Sequence, residues 1–264
     1  MTAEADPVLL DIEGGIARIR FNRPQVLNAI NEAAILAFKR AVDQVAADGA
    51  VRVVVLSGEG KGFLAGGDVA RFHSAGDEAE AVVSSIIGPF HAALTTLTRL
   101  NQPVIAALHG AVAGAGLSVA LAADLAIASE DAKFTLAYTK IGTSPDGGAS
   151  WSLPRVVGLR KAMELALLSD VIGAEEALRL GLVNAVVPPQ DLAAKVDGLA
   201  RRLADGPTLA FGRVKALLRG SFERSLPDQF AAEQASFLAS VGTRDFKEGV
   251  AAFVEKRPAH FQGS

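Results

Sequence analysis

The chain opens with two strand-like runs, Val8–Glu13 and Ile16–Phe21, separated only by Gly14-Gly15. A glycine pair can take positive φ at both turn positions, so the pattern predicts a hairpin. Asn31 is placed to cap a helix running to about Ala47, in which Ile35, Phe38, Val42 and Val45 recur every three or four residues. Gly49 would end that helix as a left-handed cap. Residues 51–56 (VRVVVL) read as a buried strand, followed by a glycine-rich loop from Gly58 to Gly67. A polar patch at 74–80 leads into a helix ending near Leu100, which Pro89 is expected to break or kink. Val104–Leu108 is a second buried strand, and the turn HGAVAGAG then feeds a short apolar helix.

Strand-like pieces follow at 125–128, 133–136 and 183–187. Helices are expected at about 160–169, 174–180, 191–204, 207–219, 227–240 and 245–256. Strands thus alternate with helices in the first two-thirds, and helices fill the rest, an α/β core with a helical extension. The one plausible boundary is Asp205-Gly206-Pro207, giving a core over 1–204 and a C-terminal helical region over 205–264.

Composition narrows the chemistry. Half of the 264 residues are hydrophobic, enough for a sizeable core, and the net charge of −3 with mixed signs offers no footprint for a nucleic-acid backbone. Without cysteine there is no disulfide, no thiolate metal site and no cysteine nucleophile. The four histidines, His73, His91, His109 and His260, form no HExxH pair, so no zinc or iron site is expected; carboxylates alone are compatible with magnesium, but no metal site is assigned. The N-terminal MTAEADP lacks the apolar stretch of a secretory signal. Residues 103–128 are long enough to span a bilayer, but Pro103, His109, Asp124 and three glycines punctuate them. Strand, turn, helix and strand fit that stretch better, and the expectation is a soluble cytoplasmic protein.

Gly58-Glu59-Gly60-Lys61-Gly62 fits neither known nucleotide loop. A P-loop needs Ser or Thr after its lysine, and a Rossmann fingerprint must open a helix. Two later turns carry the chemistry: Gly62-Phe63-Leu64-Ala65-Gly66-Gly67-Asp68 and His109-Gly110-Ala111-Val112-Ala113-Gly114-Ala115-Gly116. Small residues let a ligand approach the main chain closely and leave N–H groups free to donate.

In this order the motifs resemble the crotonase (enoyl-CoA hydratase/isomerase) superfamily along essentially the whole chain. Arg23-Pro24 with Leu27-Asn28-Ala29 looks like its RPxxxNA element, and Phe63 to Asp68 like its F-x-A-G-x-D loop. Pro103 to Gly116, Gly181-Leu182-Val183-Asn184 and the tail from Glu248 to Arg257 complete the set. The resemblance implies a crotonase-like spiral of ββα units with a C-terminal helical trimerisation region, assembled as a homotrimer or a dimer of trimers. It implies an acyl-CoA thioester as substrate, with coenzyme A part of that substrate and no separate cofactor. By position, the backbone N–H groups of Gly67 and Ala115 would form the oxyanion hole. Ala65, Asp68 and Val69 would line the adenine end, and Val26, Leu27 and Ala29 would lie near the pantetheine. Phe253 and Lys256 would approach a neighbouring subunit's coenzyme A.

The side chains depart from the hydratases, which are known for two glutamates holding a water. The matching positions here are Ser118 and Tyr138, neither of which is a carboxylate base. Asp146, in Gly142-Thr143-Ser144-Pro145-Asp146-Gly147-Gly148, resembles the proton-moving aspartate of acyl-CoA isomerases, including ring-1,2-epoxyphenylacetyl-CoA isomerases. One group acting first as base and then as acid suffices for a double-bond shift. Tyr138 is expected to pack against the acyl group or donate to it. In the related coenzyme A dehalogenases the equivalent aspartate attacks the ring, with a histidine at the position of His91. Those enzymes carry tryptophan in place of Tyr138. A hydratase with atypical residues and a non-catalytic acyl-CoA binder remain the other readings.

Overall fold

A computed structural model describes residues 6–264. Val8–Glu13 (β1) and Ile16–Phe21 (β2) form the expected antiparallel hairpin, turning on Gly14 and Gly15 at φ 57° and 76°. Glu32–Ala47 (α1) starts on Asn31, whose side chain accepts the Ala34 N–H, and buries Ile35, Phe38, Val42 and Val45. Its end corrects the expectation at Gly49. The cap is Asp48, in extended backbone, and Gly49 does not take positive φ.

Three turns of one winding follow. Val53–Gly58 (β3) leads to Gly62–Leu64 (β4) and then to Val69–Ala75 (α2) and Ala79–Arg99 (α3). Val104–Leu108 (β5) leads to Ala111–Ala113 (β6) and Ala115–Ala122 (α4). Leu125–Ser129 (β7) leads to Lys133–Thr135 (β8), Ala149–Val157 (α5) and Leu159–Leu168 (α6). Ile172–Gly173 (β9), Ala174–Arg179 (α7), Ala185–Val187 (β10) and Leu192–Ala204 (α8) close the core. Thr208–Gly220 (α9), Leu226–Val241 (α10) and Arg244–Glu255 (α11) form the extension.

Each turn gives its first strand to a six-stranded sheet, ordered β1-β2-β3-β5-β7-β10. It gives its second to a four-stranded sheet, ordered β4-β6-β8-β9. Neighbours from β2 to β10 in the large sheet pair in parallel. This is the expected spiral of ββα units. The large sheet is covered on both faces, which explains its unbroken apolar runs. Val54 and Leu56 face the main core with Phe21, Phe38 and Phe63, while Val53 and Val55 pack beneath Val196 and Ala200 of α8.

Several boundaries differ from the sequence expectation. The strand expected at 51–56 begins at Val53, because the Val51 N–H is held by Asp48 O in the preceding turn. The helices α2 and α5 were not foreseen, and α3 continues through Pro89 instead of breaking. Residues 103–128 fold as β5, β6, α4 and most of β7. The helical segment Val69–Arg99 is long and apolar enough to cross a membrane by composition alone. Its stripe of Val82, Ile86, Phe90, Ala93, Leu94 and Leu97 is buried in the core.

The core clusters draw on nothing beyond Ala204 among the described residues, yet α9 is latched to them. Asp124 pairs with Lys215 at 2.6 Å and Arg219 at 3.0 Å, and also accepts the Val104 N–H at 2.8 Å. Burial pulls the Lys215 ammonium below its ordinary value, against the Asp124 carboxylate that favours its charge.

The loop before α1 is tied down by Asn28, which is 1% exposed and sits in the left-handed region at φ 63°. Its Nδ2 reaches Gly62 O at 2.8 Å, Glu59 O at 3.0 Å and Phe63 O at 3.1 Å, and its Oδ1 accepts the Arg23 N–H. Asn28→Ala strands these carbonyls in a dry environment. The expected loss is about 3 kcal/mol in urea unfolding; an unchanged midpoint would mean that Asn28 does not hold this loop.

Candidate active site

The two glycine turns meet main chain to main chain. A Cβ on Gly116 would stand 2.0 Å from Leu64 O, and one on Gly66 would stand 3.1 Å from Ala113 O and 3.5 Å from Ala115 N. Real side chains do not survive such distances at position 116, so the start of α4 can seat on β4 only as glycine.

This seating leaves two donors free. Ile30 N–H donates to Gly66 O at 2.7 Å and Asp68 N–H to Ile30 O at 2.9 Å, a parallel bridge around Gly67. The Gly67 N–H therefore points away from Ile30, with no acceptor among the described residues. Ala115 opens α4, so its N–H has no carbonyl a turn earlier to donate to. Both residues line one cavity of about 420 Å³, whose remaining wall includes Phe72, Ile86, Ile87 and Phe90. Two main-chain donors facing a cleft are what a carbonyl oxygen needs as it gains negative charge.

Asp146 lines the same cavity and is the one acidic residue that does so among the described residues. The positions that diverge from the hydratases gather around it. The Tyr138 hydroxyl donates to Asp146 Oδ1 and lies 3.2 Å from Ser118 Oγ. Ser118, 1% exposed on α4, donates to the main-chain carbonyl of Asp146 at 2.9 Å. Burial pushes the Tyr138 phenol far above its ordinary value, and the neighbouring Asp146 charge and hydrogen bond push it further. Tyr138 is thus a neutral donor aimed at the acid.

Gly147 explains the approach of that loop. It sits at φ 58°, and a Cβ there would lie 2.5 Å from the Phe90 ring and 2.8 Å from Ser118 Cβ. Its N–H donates to His91 Nε2 at 3.2 Å.

The expected residues are not all brought together. Gly67, Ala115, Ala65, Val69, Tyr138 and Asp146 share the cavity. Asp68 borders it in sequence, but its carboxylate is occupied, accepting the Arg71 N–H as the α2 cap and pairing with Arg23 at 3.1 Å. Val26 and Leu27 lie exposed on the preceding loop, while Ala29 is buried. Phe253, 86% exposed, and Lys256, at the left-handed end of α11, lie outside the cavity of their own chain. The apolar wall from Phe72, Ile86 and Phe90 was missed. The four-residue spacing of Val82, Ile86 and Phe90 is the signal that carries it.

Tyr138 is the chain's one tyrosine, so phenolate absorbance reads this site alone. In the folded protein no phenolate band should grow in at about pH 10, the ordinary tyrosine value, whereas denaturant at that pH should bring it up. The proton is held more tightly in the folded state. Tyr138 therefore contributes stability that is fully present below about pH 10 and is lost above it as the unfolded chain ionises. A folded-state band with an ordinary midpoint would detach Tyr138 from the carboxylate.

A family profile described as enoyl-CoA hydratase/isomerase matches residues 11–264. A protein named probable enoyl-CoA hydratase from Rhodobacter capsulatus is 41% identical over 254 residues, covering 96% of each chain. The 1,2-epoxyphenylacetyl-CoA isomerase of Escherichia coli is 35% identical, covering 97% of this chain and 98% of its own. The crystal structure of an enoyl-CoA hydratase from Polaromonas sp. JS666 superposes with a TM-score of 0.92 at 32% identity, covering 97% of this chain and 99% of that one. The chain belongs to the enoyl-CoA hydratase/isomerase family, within the crotonase superfamily.

Proposed function

We propose that this enzyme of acyl-CoA thioesters is a double-bond isomerase that uses Asp146 to move a proton, with the N–H groups of Gly67 and Ala115 as its oxyanion hole. The observation that carries this reading is the pairing of those two free donors with a single carboxylate in one cavity. For a 3-enoyl thioester, Asp146 takes a proton from C2 and the electron pair delocalises onto the thioester oxygen. The protonated carboxyl then returns the proton to C4, leaving the 2-enoyl product. The dienolate oxygen is held by the two amides; removing one such donor typically costs about 3–4 kcal/mol of barrier. Hydration needs a positioned water and a second acid–base group. Ser118 is engaged with the Asp146 main chain and Tyr138 is held neutral, so neither supplies it.

Phe72, Ile86, Ile87 and Phe90 suit an apolar acyl group. Ala65 and Val69 at the cavity, with Val26, Leu27 and Ala29 beyond it, are assigned to the coenzyme A portion, as is Asp68 through the loop it anchors to Arg23.

The Asp146→Asn variant should lose 3-enoyl to 2-enoyl conversion by about 10²–10⁴-fold while still binding acyl-CoA, as expected for removal of a general base. Full-rate hydration of a 2-enoyl-CoA by that variant would remove this mechanism. Tight binding without turnover across a thioester panel would instead make the wild-type chain a non-catalytic binder.

The assembly proposed is a homotrimer or a dimer of trimers. Leu226, Phe230, Phe237 and Leu238 of α10 and Phe253 and Val254 of α11 are 59–86% exposed, a large apolar surface for one chain to leave in water. Phe253 and Lys256 would then reach a neighbour's coenzyme A. Sedimentation should give three or six times the monomer mass, and charged substitutions at Phe230 and Phe237 should lower it; a monomer at micromolar concentration would refute the assembly.

A further inference from the structure

The peptide unit joining Asp146 to Gly147 is gripped at both of its polar ends. Its carbonyl accepts the Ser118 hydroxyl from α4 at 2.9 Å, and also the Ala149 N–H at 3.2 Å. Its N–H donates across to His91 Nε2 on α3 at 3.2 Å. Rotation of this peptide plane would swing the Asp146 carboxylate, because the plane sets ψ of Asp146. Gly147, at φ 58° against the Phe90 ring and Ser118 Cβ, admits no side chain that could brace the loop instead. The loop itself is otherwise solvent-facing, with residues 141–144 exposed. Two neighbouring helices therefore hold the one segment of the loop that aims the acid.

We infer that His91 is a positioning residue for Asp146, acting with Ser118 as the second jaw of a clamp on the Asp146–Gly147 peptide. The inference rests on Asp146 as the proton-moving group. It requires one tautomer: Nε2 must keep its lone pair to accept the Gly147 N–H, so Nδ1 carries the proton. An imidazolium presents N–H at both nitrogens and would set donor against donor, releasing that jaw.

His91 is exposed and, with Gly147, lines a second cavity of about 740 Å³; neither residue lines the substrate cleft. The charged groups around that cavity are Arg99 on its own helix, Lys215 and Arg219 on α9, and Glu223 beyond α9, with Asp124 paired to both α9 cations.

The test compares His91→Phe, which keeps a ring beside Phe90 but has no acceptor, with His91→Gln, whose side-chain oxygen can accept the Gly147 N–H. His91→Phe should lower kcat about tenfold to a hundredfold, the scale of a misaimed catalytic group, with KM changed only a few-fold. His91→Gln should recover most of the turnover. Independently of turnover, hydrogen exchange at the Gly147 amide resonance should be slow in the wild type and in His91→Gln, where an acceptor holds the N–H, and fast in His91→Phe; the first two arms still read the clamp if His91→Phe fails to fold.

If Asp146→Asn is inactive while His91→Phe matches the wild type, the clamp is wrong and the isomerase reading stands. If Asp146→Asn keeps full activity, the isomerase reading fails, and the Gly147 resonance alone decides the clamp. A Gly147 amide that exchanges freely in the wild type, or at one rate in the wild type and the variants, overturns it.

Discussion

Leu64 O and the Gly116 Cα occupy a space that no side chain could share, and the architecture of the site follows from that approach. Because β4 and the start of α4 touch through bare backbone, the first turn of the helix is delivered against the loop after β4. Its unbonded N–H then opens beside that of Gly67. The two-sheet winding has the same geometric root. Every turn of the spiral must step from the large sheet to the small one, and Gly62, Gly110 and Gly116 stand where successive turns cross.

The acid is supported differently, by side chains. Where the hydratase pattern calls for two glutamates, Ser118 and Tyr138 turn inward and bond to the main chain and carboxylate of Asp146. A change that reads in sequence as a loss of catalytic groups is, in space, a construction around a third position. A half-buried phenol kept neutral adds a directed dipole beside Asp146 without adding a second charge.

Most of the fold was legible from pattern. The hairpin, α1 and the buried strands follow from period and turn chemistry, while Gly67, Ala115 and Asp146 were singled out by the resemblance to the crotonase superfamily. What escaped has physical causes. The helix α5 contains Pro154 and follows Gly147-Gly148, so local propensity argues against it, and packing on α4 and α6 overrides propensity. The survival of α3 through Pro89 is the same effect, because its buried stripe holds it on both sides of the proline. The pairing of the Asp68 carboxylate with Arg23 and its capping of α2 could not be read from its motif. Such long-range claims on a side chain leave no local trace. His91 and Gly147 lie 56 positions apart, so no spacing rule joins them.

Placing the lone carboxylate on a single wall of the cleft has a stereochemical consequence for the proposed proton shift. With Tyr138 holding Oδ1, one oxygen of Asp146 remains free to work on the planar dienolate. Hydrogen would then depart from and arrive on the same π-face, a suprafacial transfer. An isotopic label taken from C2 could travel with the carboxyl to C4 before solvent exchanges it.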